Sequence, residues 1–473
     1  MTDRLPDIQH IVVLMLENRS FDHMLGFLYA GQGNVSPQGQ PFEGLTGSES
    51  NPDSSGKAVK AFAIAAGTAL TYFMPGADPG EGYSATNAQL YGSEHPGSAV
   101  ATNAGFVTNF AATLAWESRT PGWTPLAGTQ ATDIMGMFTP ALLPVLSGLA
   151  RGFAVCDQWY ASAPTETLPN RAFAAAATSQ GHMDDKTTSF TAPTIFGLLT
   201  QHSLTWRIHG YDSTPLTRLT FSDTANAPTT NFGLFTDFRA AAAAGTLPAY
   251  TFLEPDFSAN GNSQHPNYDV AAGEQFIHDV YYALREGPAW NQTLLIITYD
   301  EHGGCYDHVP PPTTAVPPDA SVGEFGFDFK RFGLRVPTLL VSPLIAPGTV
   351  FRAPAGGLPF DHTSILSTIE RRWSLPALTA RDAAAPDVGA VLTLATARTD
   401  DPLASVAVPA ARAARADAPL SHLERVQVEM AARLPLPDEG NADARPPPGV
   451  HTSAQARAYI EARVQAWERR RTA

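Results

Sequence analysis

The sequence predicts an α/β protein: a mostly parallel central sheet with helices on both faces, plus a smaller helical region at the C-terminus. Three observations carry this. Short runs of β-branched and aliphatic residues, IVVLML (11–16), TLLIITYDE (293–301) and VPTLLVSPLI (336–345), suit strands buried on both faces. Strand and helix signals alternate through residues 9–375. After about residue 385 the composition shifts to Ala, Arg and Pro.

The elements follow in order. IVVLML runs into ENRSFDHMLGFL, where Phe21, Leu25 and Leu28 recur at helical spacing. Residues 30–100, rich in Gly, Ser, Pro and Asn, read as long loops over the sheet. Residues 141–152 read as a helix ending at a glycine, and FAVCDQWYAS as a strand. TETLPNRAFAAAATS is a helix with Pro in its first turn. A strand is expected around 204–211, an amphipathic helix over 270–286, and a helix over 361–373 capped near Asp361. The tail offers helices at 420–434 and 452–471, separated by a loop over 435–450. Every motif below lies in 1–385, read as the catalytic domain; 386–473 reads as an Ala/Arg/Pro-rich helical region.

At 473 residues the chain suits one large α/β domain plus a smaller region. It is 44% hydrophobic and 16% charged, which is ordinary for a globular protein. Its 40 prolines and 38 glycines imply many loops. A net charge of −15 argues against general nucleic-acid binding, and against adhesion to anionic lipid by charge alone. The two cysteines, Cys156 and Cys305, make neither a disulfide framework nor a zinc motif and read as reduced thiols. The apolar run 11–16 is too short for a signal peptide and no 18-residue apolar stretch occurs. The expectation is a cytoplasmic protein, or one exported without a Sec leader.

In open α/β sheets ligands bind at the carboxyl ends of the strands. Two strands here end in oxygen donors, Glu17-Asn18 and Asp300-Glu301. If these strands are neighbours, the donors converge and repel one another unless a cation lies between them. All-oxygen ligation favours one hard divalent ion, Ca²⁺, Mg²⁺ or Mn²⁺. Either dipeptide alone is more simply the start of a helix. Thr165 and Thr167 precede LPNRAFAAAA, where a helix N-terminus favours phosphate and a metal can activate a hydroxyl. By residue chemistry alone an ordinary Thr N-cap is the better reading, and nothing separates the two hydroxyls. His265, His302, His308 and His362 lie in polar loops near these motifs, where a proton donor for a leaving oxygen is needed.

Together these stretches resemble the phosphoesterase family of bacterial and plant non-specific phospholipases C and acid phosphatases. ENRSFDH, T-x-P-N-R and TYDEHGG in this order are specific, and the likeness runs from about residue 8 to 375. The resemblance implies a branch of the alkaline-phosphatase-like fold. It implies metal ligands Glu17, Asn18, Asp300 and Glu301, nucleophile Thr167 rather than Thr165, and His265 as the active-site histidine; residue chemistry keeps His308 and His362 as weaker alternatives for the proton donor. There is one departure: plant relatives carry D-P-x-H in the first long loop, and this chain reads DPGEG, placing Glu81 at the histidine position.

The leading expectation is a phospholipase C that cleaves phosphatidylcholine-type glycerophospholipids to diacylglycerol and a phosphorylated headgroup through a phosphothreonine, touching the membrane surface transiently. An acid phosphatase acting on phosphate monoesters is the alternative. A non-catalytic membrane-binding protein is the third reading, supported only by Glu81. Aromatic residues in loops 30–130, among them Phe62, Phe106, Phe110 and Trp116, lean to lipid, with a satellite core beneath the loops as the competing account.

Overall fold

The computed structural model describes residues 3–120, 123–413, 419–434 and 449–472. One sheet organises them. Its strands are β1 (His10–Leu16), β2 (Ala154–Cys156), β3 (Trp206–Gly210), β4 (Phe232–Leu234), β5 (Tyr250–Leu253), β6 (Thr293–Tyr299), β7 (Thr338–Val341) and β8 (Thr349–Val350). The order is β8-β2-β7-β6-β1-β5-β3-β4. All neighbours pair in parallel except β7, which runs antiparallel to both β6 and β2.

The helices that bear on the site are α1 (Phe21–Leu25), α2 (Tyr83–Tyr91), α3 (Phe106–Glu117), α4 (Pro144–Gly152), α5 (Thr167–Ala176), α6 (Val270–Arg285), α7 (Thr363–Trp373), α8 (His422–Ala432) and α9 (Ser453–Thr472). Residues 11–16 and 293–299 are buried throughout. Successive side chains point to opposite faces, so both faces of the central strands are covered. This is the mostly parallel α/β architecture expected. Leu423, Val426, Ile460 and Val464 of α8 and α9 join the same buried cluster as β1 and β6. None of the helices among the described residues is long and apolar enough to cross a membrane.

Several expectations change in detail. Residues 30–100 are not only loops: they hold short strands at Ser50–Pro52, Ala58–Lys60 and Phe62–Ala63, together with α2. FAVCDQWYAS is two pieces, β2 and a separate strand Trp159–Tyr160 that pairs with Phe360–Asp361. β4 and β5, three and four residues long, were too short to give a periodic signal. The N-cap of α7 is His362, one residue beyond Asp361, although Asp361 Oδ1 still accepts from Thr363 N at 3.2 Å. The expected loop 435–450 lies, up to residue 448, outside the described residues.

Candidate active site

β1 and β6 are parallel neighbours, with Leu16 opposite Tyr299. Glu17-Asn18 and Asp300-Glu301 therefore leave the sheet side by side. Asn18 adopts φ 56°, a left-handed conformation that Asn tolerates better than most residues. Its amide then donates to Asp300 Oδ1 at 2.9 Å. Gly303 follows at φ 61°, and a Cβ there would lie 1.9 Å from the Asn18 carbonyl oxygen. Only glycine lets these two turns meet, and its N–H donates to Glu301 Oε2 at 2.7 Å.

The T-x-P-N-R motif builds the facing wall. Asn170 locks the turn before α5: its Oδ1 accepts from Ala163 N at 2.9 Å and its Nδ2 donates to Thr165 O at 2.9 Å. Arg171 Nε donates to Asp300 Oδ2 at 2.9 Å, which joins α5 to the end of β6. Thr167 is the first residue of α5, and its Oγ donates to Asn18 Oδ1 at 3.2 Å. The Thr165 hydroxyl is buried and donates to the Met183 carbonyl. Geometry thus separates two hydroxyls that residue chemistry left equivalent: one faces the donor set, the other is spent on the backbone.

Oε2 of Glu17 and Oε1 of Glu301 are buried without a hydrogen-bond partner. Burial, reinforced by the Asp300 charge, pushes Glu17 up to about 8 and Glu301 well above the usual carboxylate range. Such oxygens are costly unless a proton or a cation neutralises them. The donors are all oxygen, so the set fits a hard divalent cation. Glu17, Asp300 and Glu301 do not close to a trio within 4.8 Å of one another. Asp300 spends one oxygen on Arg171 and the other on the amides of Asn18 and Glu301, at 2.9 and 2.8 Å.

Two acid–histidine trios do lie within 4.8 Å among the described residues: Asp78, Glu81 and His265, and Asp22, Asp307 and His308. The first adjoins the donor set, because Asn18 Nδ2 donates to Glu81 Oε2. Glu81 is pushed well above the carboxylate range by burial and by Glu301, Asp78, Glu166 and Asp185. His265 donates from Nδ1 to Pro266 O at 2.9 Å, leaving Nε2 3.7 Å from Asp78 Oδ1. Burial pulls its pKa down to about 3.

His308 and His362, the weaker candidates, have protein partners. His308 is held by Asp22 at 2.6 Å in a network closed by Arg335. His362 is fully buried; its Nε2 meets the Asp300 carbonyl at 2.6 Å and its Nδ1 accepts from Trp159 Nε1 at 3.5 Å. It braces the turn that carries Asp300.

Sequence reasoning passed over Arg171, Asp78, Glu166, Asp185 and His422. The arginine of T-x-P-N-R was in view as a motif letter without a role. Asp185 Oδ1 caps α5 by accepting from Leu168 N at 2.7 Å, and His422 Nε2 reaches Asp185 Oδ2 at 3.2 Å. No local pattern marks either.

A family model described as the Phosphoesterase family matches residues 8–376. Non-specific phospholipase C1 of Arabidopsis thaliana is 38% identical over 397 residues, which span 80% of this chain and 69% of that protein. Phospholipase C A of Mycobacterium tuberculosis is 29% identical over 421 residues, 79% of this chain and 74% of that protein. Among solved structures, a protein in the alkaline phosphatase superfamily from Vibrio parahaemolyticus matches with a TM-score of 0.30 and 13% identity, over 52% of this chain and 65% of that one. So slight a likeness carries no argument, and the fold rests on its own strand order.

Proposed function

The chain belongs to the phosphoesterase family, a hydrolase of phosphoric esters, and we propose that it is a phospholipase C cleaving glycerophospholipids to diacylglycerol and a phosphorylated headgroup. The observation that carries this reading is the Thr167 hydroxyl at the first turn of α5, aimed at Asn18 beside buried, unpartnered carboxylate oxygens.

In the proposed mechanism Thr167 Oγ attacks phosphorus in line with the leaving alkoxide, and water then cleaves the phosphothreonine from the opposite side. Glu17, Asn18, Asp300 and Glu301 would hold one divalent cation, Ca²⁺, Mg²⁺ or Mn²⁺. When bound, it supplies positive charge that lowers the hydroxyl pKa and offsets charge on the phosphoryl oxygens. At the start of α5, Leu168 N is held by Asp185 Oδ1 and Pro169 carries no N–H, so the cation would offset most of the charge on the non-bridging oxygens. Arg171 holds Asp300 in place. His265 is our candidate to relay a proton to the leaving oxygen: its neutral Nε2 turns toward Asp78, whose carboxyl is pushed up to about 7 and would supply that proton. In this reading every catalytic residue lies in 1–385, and the helices α8 and α9 of the C-terminal region support them.

The lipid reading draws less support from loops 30–130 than the sequence suggested, because Phe106 and Phe110 are buried core. It draws more from the segment between β6 and β7 that packs on α2. Phe325 is 62% exposed and stacks on Tyr83 at 5.4 Å, and Val322 nearby in sequence is 74% exposed. Apolar tips at that edge suit transient contact with a phosphatidylcholine-type surface. Hydrolysis of p-nitrophenyl phosphorylcholine and of p-nitrophenyl phosphate, each with and without chelator, tests the reading. Chelator-sensitive diester turnover exceeding monoester turnover supports it. The reverse ratio makes the protein an acid phosphatase, and no turnover of either makes it a non-catalytic binder. Rapid quench with labelled substrate should leave label on the peptide containing Thr167; label on a histidine alone overturns the intermediate.

A further inference from the structure

α5 lacks a cap of its own. Its N-cap residue, Glu166, makes no side-chain bond to the helix. The cap comes from Asp185, whose Oδ1 accepts from Leu168 N at 2.7 Å, while Glu166 Oε2 accepts from Asp185 N at 2.7 Å. Asp185 is thus a buried carboxylate that fixes the amide next to Thr167, and a buried carboxylate needs a cation. Lys186 does not supply it, because it turns outward to Asp184. His422 does, with Nε2 3.2 Å from Asp185 Oδ2.

We propose that His422 is a positioning residue for the Thr167 nucleophile: the C-terminal helical pair delivers it to Asp185, and Asp185 holds the first turn of α5. This rests on the reading of Thr167 above.

His422 is itself firmly placed. It is the first residue of α8, whose capping box pairs Ser421 Oγ with Glu424 N at 3.0 Å and Glu424 Oε2 with Ser421 N at 2.9 Å. Ser453, the first residue of α9, donates to the same Glu424 Oε2 at 2.9 Å. Both helices therefore bear on the position of one imidazole. Around it lie the carboxylates of Asp185, Asp78 and Glu166; Glu117, Tyr268 and Arg425 line the same cavity of about 150 Å³. Burial opposes the imidazolium, but the Asp185 bond and the charges of Asp185, Asp78 and Glu166 outweigh it and push His422 up to about 9. The carboxylates that face it favour the imidazolium at neutral pH. A misplaced nucleophile loses rate steeply, so the tether acts on kcat rather than on substrate binding.

The test uses the full chain with added divalent metal, as wild type, His422→Ala and His422→Lys. Hydrogen exchange of residues 163–176 is read by mass spectrometry, beside kcat and KM for p-nitrophenyl phosphate. In His422→Ala, exchange at 163–176 should quicken while β1 and β6 stay as protected as in wild type. Its kcat should fall about tenfold or more with KM within about twofold. His422→Lys, which keeps the charge, should restore most of both. Unchanged exchange at 163–176 in His422→Ala overturns the proposal. So does loss of protection across the whole sheet that Lys does not repair, because that is a general packing defect. If wild type turns over no ester but exchange responds as stated, the tether stands and the hydrolase reading falls.

Discussion

Two clusters in this protein have the same make-up, two acids and a histidine within 4.8 Å, and opposite characters. In the first, Arg335 is fully buried and donates to Asp22 Oδ1 at 2.9 Å and Asp307 Oδ1 at 3.0 Å, while His308 holds Asp22 Oδ2. The charges are matched, and the cluster pins the start of α1 to the segment after β6. In the second, no arginine bonds Asp78 or Glu81 among the described residues, Asp78 Oδ1 has no hydrogen-bond partner, and burial followed by the Glu117 charge pushes Asp78 up to about 7. Residue types and spacing do not distinguish a brace from a site. The supply of counter-charge does.

The sharpest way to break this comparison is to remove the proposed nucleophile beside the unmatched cluster. Thr167→Ala gives up one hydrogen bond to Asn18, so the melting behaviour should change little, by about 1 kcal/mol or less. Turnover should fall by about a thousandfold or more, because the substitution removes the oxygen proposed to attack phosphorus. Chelator should act on the wild type with similar severity and leave the matched cluster untouched. Near-normal turnover in Thr167→Ala, measured at saturating substrate, would overturn the assignment.

The converse experiment strikes the matched cluster. Arg335→Met leaves Asp22 and Asp307 as buried carboxylates without their cation. Breaking such a pair costs about 3–5 kcal/mol. Denaturant titration should show that loss, while kcat per folded molecule stays within about twofold of wild type. If instead Arg335→Met abolishes turnover in protein that remains folded, the two clusters are not functionally separate.

The contrast also explains what was legible in the sequence. Glu17-Asn18 and Asp300-Glu301 could be read because each ends a long apolar strand, and parallel pairing of β1 with β6 does the rest. The glycine after the Asp-Glu-His run could be read as a turn, but not as the one residue able to pass the Asn18 carbonyl. The roles of His308 and His362 could not be read. Whether an imidazole is free depends on its partners, here Asp22 for one and the Asp300 carbonyl for the other, and those come from distant segments. His422 was the least visible: it lies 237 residues after Asp185, in a tail whose composition gives no hint of chemistry. The strand β7 was found, but not its antiparallel sense, since an apolar run has no direction.

Another buried carboxyl sharpens the comparison by keeping a proton in place of a cation. Glu274 of α6 accepts from Val145 N at 2.6 Å and Leu146 N at 3.0 Å, capping α4. Burial pushes it up to about 8, only partly offset by those amides. The folded protein therefore keeps a proton that the unfolded chain gives up near 4.5. Where the folded state binds more protons, stability falls as pH rises, so this group's contribution is fully present below about 4.5 and is lost as pH climbs through about 8. The change should be on the order of a few kcal/mol across that window. Glu274→Gln should flatten this part of the stability–pH curve, measured by denaturant melts at several pH values. An unchanged slope would show that amide dipoles hold Glu274 charged.

The smallest expected effect separates the two threonines that precede the helix. Thr165 Oγ is buried and donates to the Met183 carbonyl, in the segment that leads to Asp185. Thr165→Ala removes one hydrogen bond and leaves a buried carbonyl less well satisfied, at a cost of about 1–2 kcal/mol. Asn170 still closes the turn through Ala163 and Thr165 backbone atoms, and Arg171 still holds Asp300, so Thr167 keeps its place. Turnover should stay within about threefold of wild type, a loss no larger than one neutral hydrogen bond accounts for. A collapse of turnover in Thr165→Ala with its thermal midpoint unmoved would reverse the roles of the two hydroxyls, and would mean that Thr165 leaves the Met183 carbonyl to face phosphorus.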